Sequence, residues 1–368
     1  MKIVCSQSEL AKGISIVSKA VPTRSTMPIL ECILIDASTN EIKLIANDME
    51  IGIETKINGS IEKRGVIAIE AKFLQNLITK LHEGTIAIET DDNYKVKITC
   101  ENKVVEVPGK TGEDFPYIPV ISRNNPIVLS QMLFKDIVKQ TIFSVSSNEN
   151  NKLMTGELFD FHENNLKVVS LDGNRISIRN VELNQSVEDK KIIIPGKAVN
   201  EVSKIIGNSS DEKVNIFITD NHIIFEFDDT IVVSRLIEGE YFKIDHMLSS
   251  DYETKITINK KQMLDCIDLA TIMANEGDKK PIILTINGSK MYLKIESNRA
   301  SMNDDIDVKK EGKDLIIGFN PKYLIDALRV IDDEEVSLYM MNTKSPCVIR
   351  DDNNSYAYII LPININVN

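Results

Sequence analysis

No run of about 18 apolar residues occurs in the chain, so no membrane-spanning helix is expected. The opening residues, MKIVCSQSEL, lack the basic stretch and apolar core of an export signal, and a cytoplasmic protein is expected. Positive charge is also scarce: 43 Lys and Arg stand against 55 Asp and Glu, a net charge of −12. As a sum this argues against a nucleic-acid partner, because non-specific binding draws on excess cations. The five cysteines (Cys5, Cys32, Cys100, Cys266, Cys347) are odd in number and scattered, which fits free buried thiols in a reducing compartment. The four histidines (His82, His162, His222, His246) lie far apart without HExxH spacing, and CxxC is missing, so no zinc site is expected. No GxSxG nucleophile elbow is present. Gly109-Lys110-Thr111 has the ending of a phosphate-binding loop, yet Val104 stands where its first glycine belongs and Asp114-Phe115-Pro116 follows instead of a helix. Asp172-Gly173-Asn174 lacks the alternating acidic ligands and closing Glu of a calcium loop. No metal, cofactor or catalytic group is therefore expected.

What the chain does have is a threefold internal repeat of about 125 residues. One strand-to-helix junction recurs as IAIEAKFLQNLITKL (67–81), IIIPGKAVNEVSKII (192–206) and LIIGFNPKYLIDALRV (315–330), with Lys72, Lys197 and Lys322 at equivalent places. A helical segment precedes each junction: SELAKGISIV (8–17), QMLFKDIVKQ (131–140) and KQMLDCIDLA (261–270). Between them KLIANDMEIGI (43–53) matches KVVSLDGNRISI (167–178) and, more weakly, YLKIESNRASM (292–302). Each copy then reads as two helices and about eight short strands of alternating hydrophobicity, among them IGIETKI, TIAIET, IIFEF and MYLKIE. Asn58-Gly59, Asp172-Gly173 and Asn287-Gly288 read as turns. The expectation is an α+β fold of three repeated domains, helices on antiparallel sheets, over residues 1–122, 126–247 and 253–368.

The distribution of charge reverses what its sum implies. On helical wheels Lys72 lies opposite the stripe Leu74/Leu77/Ile78/Leu81, with Lys80 beside it. Lys197 and Lys204 share a face opposite Val199, Val202 and Ile206, and Lys322 and Arg329 face away from Leu324 and Ile331. The earlier helices carry Lys12/Lys19, Lys135/Lys139 and Lys260/Lys261. A lysine on one helix face is ordinary solvated surface, but two bases on every one of six helices in an acidic chain describe a basic helical lining. Such a lining attracts a phosphate backbone without reading bases.

These segments, with PTRSTMPIL (22–30), GEDFP (112–116), SLDGNRIS (170–177), SRLIEGEY (234–241), IGFNPKYL (317–324) and YAYIILPI (356–363), make the whole chain resemble the bacterial beta sliding clamps, processivity subunits of DNA polymerase III. The resemblance implies three clamp domains per chain and a head-to-tail homodimer. Together these form a six-domain ring around double-stranded DNA, helices inside and sheet outside. It implies a non-catalytic subunit of a DNA-directed DNA polymerase (nucleotidyltransferase) holoenzyme, found in the cytoplasm with the nucleoid. Its partners would be the polymerase catalytic subunit, the clamp loader and other replication and repair proteins. By the same resemblance Arg24 and Lys152 lie in DNA-contact loops, while Val105 and Val107 meet Ile272 and Met273 across the dimer. A groove for partner peptides would be built from Met154, Leu171, Gly173, Asn174, Arg175 and Ile176, then Phe242, His246 and Met247, and finally Ile359, Leu361, Pro362 and Ile363. Phe242 stands where the family often has Pro, and His246 where an Arg is common. Two other readings stay open: an enzyme acting on DNA or nucleotides, which the missing motifs disfavour, and a scaffold binding proteins only. A ring alone persists on circular DNA and slides off linear DNA.

Overall fold

The computed structural model describes residues 1–119, 121, 123–244, 247, 251–273, 281–296 and 301–365. Six α-helices occur among them: α1 (Gln7–Val17), α2 (Ala71–Lys80), α3 (Gln131–Thr141), α4 (Gly196–Ile205), α5 (Lys260–Met273) and α6 (Pro321–Val330). At the second helix of each copy a strand runs straight into the helix: Val66–Glu70 into α2, Arg175–Pro195 into α4, and Leu315–Phe319, by way of Asn320, into α6. Local chemistry sets some of these starts. Asn320 accepts from the Lys322 backbone N–H at 3.0 Å with Pro321 at the first helical position, and Ser6 does the same for Glu9 at 3.2 Å. The apolar stripe then buries: Leu74 and Ile78 on α2, Val199 and Val202 on α4, and Leu324 and Leu328 on α6.

The chain divides into two compact units, Met1–Phe134 with Lys197–Leu236, and Lys135–Gly196 with Ile237–Asn368. Neither coincides with a sequence copy, because sheets run through the copy boundaries. In the first unit a nine-stranded sheet joins copies one and two where Ile51–Ile57 pairs with Thr230–Arg235, and a five-stranded sheet ends on Lys103–Pro108. In the second unit a seven-stranded sheet joins copies two and three where Arg175–Arg179 pairs with Tyr356–Ile360, and a four-stranded sheet ends on Ser301–Asp307. All sheet pairings among the described strands are antiparallel. Within the first unit α1 packs on α2, and within the second α5 packs on α6.

Two readings from sequence need correction. Asn58-Gly59 is not a hairpin turn: Gly59 begins a strand, Gly59–Lys63, paired to Lys2–Ser6. Glycine is required there because a Cβ would sit 2.7 Å from the Val4 carbonyl oxygen and 2.8 Å from Ile42. The middle copy also has fewer and longer strands than eight. Gly156–Leu171 and Arg175–Pro195 stay paired through their polar middles, and register shifts around Glu163 absorb the irregularity. The other two turns form as read, with Gly173 at φ +89° and Gly288 at φ +56°. All five cysteines are free and buried; burial pushes the Cys5 thiol up to about 11 and Cys347 up to about 12.

Candidate functional site

In the second unit, Asp172 builds a turn by accepting from the backbone N–H groups of Asn174 (2.9 Å) and Arg175 (3.1 Å). Gly173 and Asn174 are exposed at its tip. Arg175 turns inward and is 8% exposed. Its Nε donates to Asp172 Oδ2 (3.0 Å), Nη1 to Asp326 Oδ2 on α6 (2.6 Å) and Nη2 to the Phe143 carbonyl (2.5 Å). The guanidinium also lies 4.6 Å from the Tyr323 ring centre and 5.3 Å from that of Phe143. So engaged, Arg175 holds the turn against α6 rather than projecting from it.

On the opposite face of the same strands is a small apolar cluster. Leu171, Ile176 and Ile359 are buried in it with Ile178, Ile244 and Val348, and Met154, Leu158, Tyr241 and Tyr339 pack half-buried against it. Phe242, Met247 and Leu361 stand at its margin, 37%, 38% and 37% exposed. Leu361 is tied to the turn by its backbone N–H donating to the Asn174 carbonyl at 2.9 Å, and Met247 donates to the Ile244 carbonyl at 2.8 Å. The chain then leaves the sheet: Pro362 and Ile363 are half-buried, and the Ile363 N–H donates to Gly318. Ile360 points the other way, into the larger core of the unit. His246 lies outside the described residues. The result is a buried apolar cluster with exposed aromatic, thioether and aliphatic groups at its margin. Tyr241, Ile244, Val348 and Tyr339 belong to it and were not anticipated. The run SRLIEGEY ends on Tyr241, the signal that could have found it.

Of the basic residues, Lys12, Lys72, Lys80, Lys139, Lys197, Lys204, Lys322, Arg329, Arg24 and Lys152 are exposed and Lys135 is half-buried. Their electrostatic settings differ. Lys197 pairs with Asp48, Lys204 with Glu201 at 2.7 Å, and Arg329 with Asp268 at 3.0 Å. Lys12, Lys72, Lys80 and Lys322 have no acidic partner among the described residues. Lys19 falls in the 3₁₀ turn Ser18–Ala20 beyond α1, and Lys260 is drawn inward to the Ile331 carbonyl at 2.6 Å, capping the end of α6. Two free bases per helix is therefore too generous a count.

Val105 and Val107 lie on Lys103–Pro108, opposite Ile98 and Val96. Val107 is buried, Val105 half-buried, and neighbouring Val104 is 54% exposed. Ile272 is 74% exposed at the end of α5; the Met273 side chain lies outside the described residues.

Three family models match the chain in order: the N-terminal domain of the DNA polymerase III beta subunit over residues 1–119, its central domain over 128–243, and its C-terminal domain over 246–364. The beta sliding clamp of Staphylococcus epidermidis is 32% identical over 356 residues, 94% of each chain, and that of Staphylococcus aureus is 31% identical over the same share. The chain belongs to the beta sliding clamp family. Solved structures agree. One from Eubacterium rectale is 60% identical with a TM-score of 0.97, and the DNA polymerase sliding clamp of Bacillus subtilis is 28% identical with a TM-score of 0.94, each covering 100% of both chains. The threefold repeat is thus three sliding-clamp domains in sequence. No helix among the described residues is long and apolar enough to cross a membrane.

Proposed function

We propose that this chain is a DNA sliding clamp: a head-to-tail homodimer that closes around duplex DNA and tethers the replicative polymerase. The observation that carries ring closure is the pattern of strand junctions. Copy one lends Ile51–Ile57 to the last strand of copy two, and copy two lends Arg175–Arg179 to the last strand of copy three. By the same rule the counterpart strand of copy three, Ser301–Asp307, needs the last long strand of a copy one, Lys103–Pro108, which only the two-residue strand Lys110–Thr111 follows. Among the described residues each of these strands is paired on one side only. A second chain supplies the missing partner twice and leaves no such edge open. Ile272 and Val104 give that junction apolar surface beside the strand edges, with half-buried Val105 beside them and Val107 buried beneath.

Lys12, Lys72, Lys80, Lys135, Lys139, Lys197, Lys204, Lys322 and Arg329, with Arg24 in a loop and Lys152 at the start of the 3₁₀ turn Lys152–Thr155 rather than in the loop expected, would meet phosphates. Lysine supplies charge without base recognition, so the ring slides while its closure prevents escape. No chemical step is assigned to the chain; it raises the local concentration of polymerase at the primer end. The apolar slot around Leu171, Ile176, Ile359 and Leu361 would take short peptide tails of the polymerase catalytic subunit, the clamp loader and repair proteins, in a cytoplasmic, nucleoid-bound setting. The test is retention on DNA. After loading, the protein should stay on a circular duplex and run off the same duplex once linearised; equal loss from both would refute the ring. In parallel, Leu361→Ala should lower affinity for a polymerase tail peptide about tenfold or more while the dimer survives, since truncating a rim anchor costs more than 1 kcal/mol.

A further inference from the structure

The first unit contains a cavity of about 310 Å³ at the place equivalent to the slot proposed in the second unit. Its turn is built the same way. Asp48 Oδ1 accepts from the backbone N–H groups of Glu50 (3.0 Å) and Ile51 (2.8 Å), as Asp172 does from Asn174 and Arg175. Met49 takes φ +76° where Gly173 takes +89°. The Arg235 N–H donates to the Glu50 carbonyl at 3.1 Å, as Leu361 donates to Asn174 at 2.9 Å. Gly52 pairs with Val233, as Ile176 pairs with Ile359. Ile118 covers Gly52, as Ile244 sits with Ile176. The strand junction that makes a slot between copies two and three therefore makes one between copies one and two.

What lines the two differs in a way that sets the occupant. Gly52 in place of Ile176 lets Ile118 close onto the strand, since a Cβ at Gly52 would sit 2.8 Å from the Ile118 side chain, so Ile118 itself becomes the apolar floor. Arg235 in place of Leu361 sets a guanidinium at the rim, where it has no ion pair among the described residues, and His222 lies beside it on the wall. Glu50, on the turn, is the one acid lining the cavity. Asn47 also lines it, its side chain donating to the Pro116 carbonyl (3.0 Å) and accepting from the Met49 N–H (2.8 Å), and the rest of the wall is Met49, Pro116, Tyr117, Ile118, Pro119 and Val233. We infer that this cavity is a second peptide-docking site, taking an extended segment whose aliphatic side chain lies against Ile118 and Val233 while an adjacent carboxylate meets Arg235. The inference rests on the peptide-slot reading of the second unit, but asks for a different ligand, apolar plus acidic rather than apolar alone.

Methyl NMR of the full-length protein tests it with the capped peptide Ac-Gly-Leu-Glu-Gly-NH2 and its glutamine analogue. Expected are saturable shifts of the Ile118 and Val233 methyls, with the glutamate peptide binding about tenfold tighter than the glutamine one, the value of a charge-assisted contact. Arg235→Gln should erase that preference, and Leu361→Ala should leave it intact. Equal affinity for the two peptides, or a preference that Arg235→Gln does not touch, overturns the inference. So does the lack of any saturable shift at Ile118 and Val233. A polymerase tail peptide titrated into the same samples reads the Leu361 slot separately, so failure at one site is not mistaken for failure at the other.

Discussion

Glu157 is fully buried with no hydrogen-bond partner on either carboxylate oxygen. The hydroxyl of nearby Thr141 donates instead to the Ile137 carbonyl at 2.9 Å. Desolvation pushes the carboxyl from 4.5 up to about 8. An acid whose folded value is raised holds its proton in the native state while the unfolded chain has lost it, so stability present below pH 4.5 is lost as pH climbs toward 8. Glu157→Gln should therefore leave stability at pH 4 nearly unchanged and raise it at pH 9 by on the order of 5 kcal/mol, read from urea denaturation at both values. An unchanged pH profile would show that the carboxyl ionises without cost. Nothing in GELFDF announces this burial. The alternation of a strand says which residues share a face, and here Glu157 shares the inward one. Arg175 was equally opaque: the turn that precedes it is legible, but its burial depends on Asp326, which is distant in sequence.

At the scale of elements, the helices were the most legible part, because apolar residues three and four apart and a repeat seen three times leave little choice of period. Strand existence was also legible, while strand length in the middle copy was not, since a polar stretch can remain hydrogen-bonded across a long hairpin. The ion pairs of Lys197 with Asp48 and Arg329 with Asp268 were invisible in sequence, unlike the i,i+3 pair of Lys204 with Glu201, and all three bear on the helix lining. A lysine already facing a carboxylate exchanges one anion for another when it meets phosphate, whereas an unpaired one adds its attraction outright. Neutralising Lys12, Lys72, Lys80 and Lys322 together should thus flatten the dependence of log affinity on log salt, by about one unit for each phosphate that no longer meets a cation. Neutralising Lys197, Lys204 and Arg329 should flatten it less per residue. Equal slopes for all variants and the parent would remove the helices from the DNA interface.

For the whole molecule, the copy number and order could be read from the repeat. How strands cross from one copy to the next could not, because strand pairing between distant segments leaves no local mark in sequence. The proposed assembly extends those crossings to a second chain. Ile272→Asp places a charge on the apolar surface proposed for the dimer contact and should shift the protein toward monomer. Sedimentation at micromolar concentration should show a dissociation constant raised about tenfold or more, the effect of disrupting an interface anchor. Undiminished dimer would move the contact elsewhere.

The division of the middle copy between two units also orders events in time. On a ribosome the N-terminal copy emerges first, yet Ile51–Ile57 then has no neighbour on its outer side, since Thr230–Arg235 is still unsynthesised. The first unit becomes complete only when Leu236 is made, and the second only near the end of the chain. Through most of translation the nascent protein thus carries an unfinished sheet, a window in which a chaperone or a neighbouring nascent chain competes for the same hydrogen bonds.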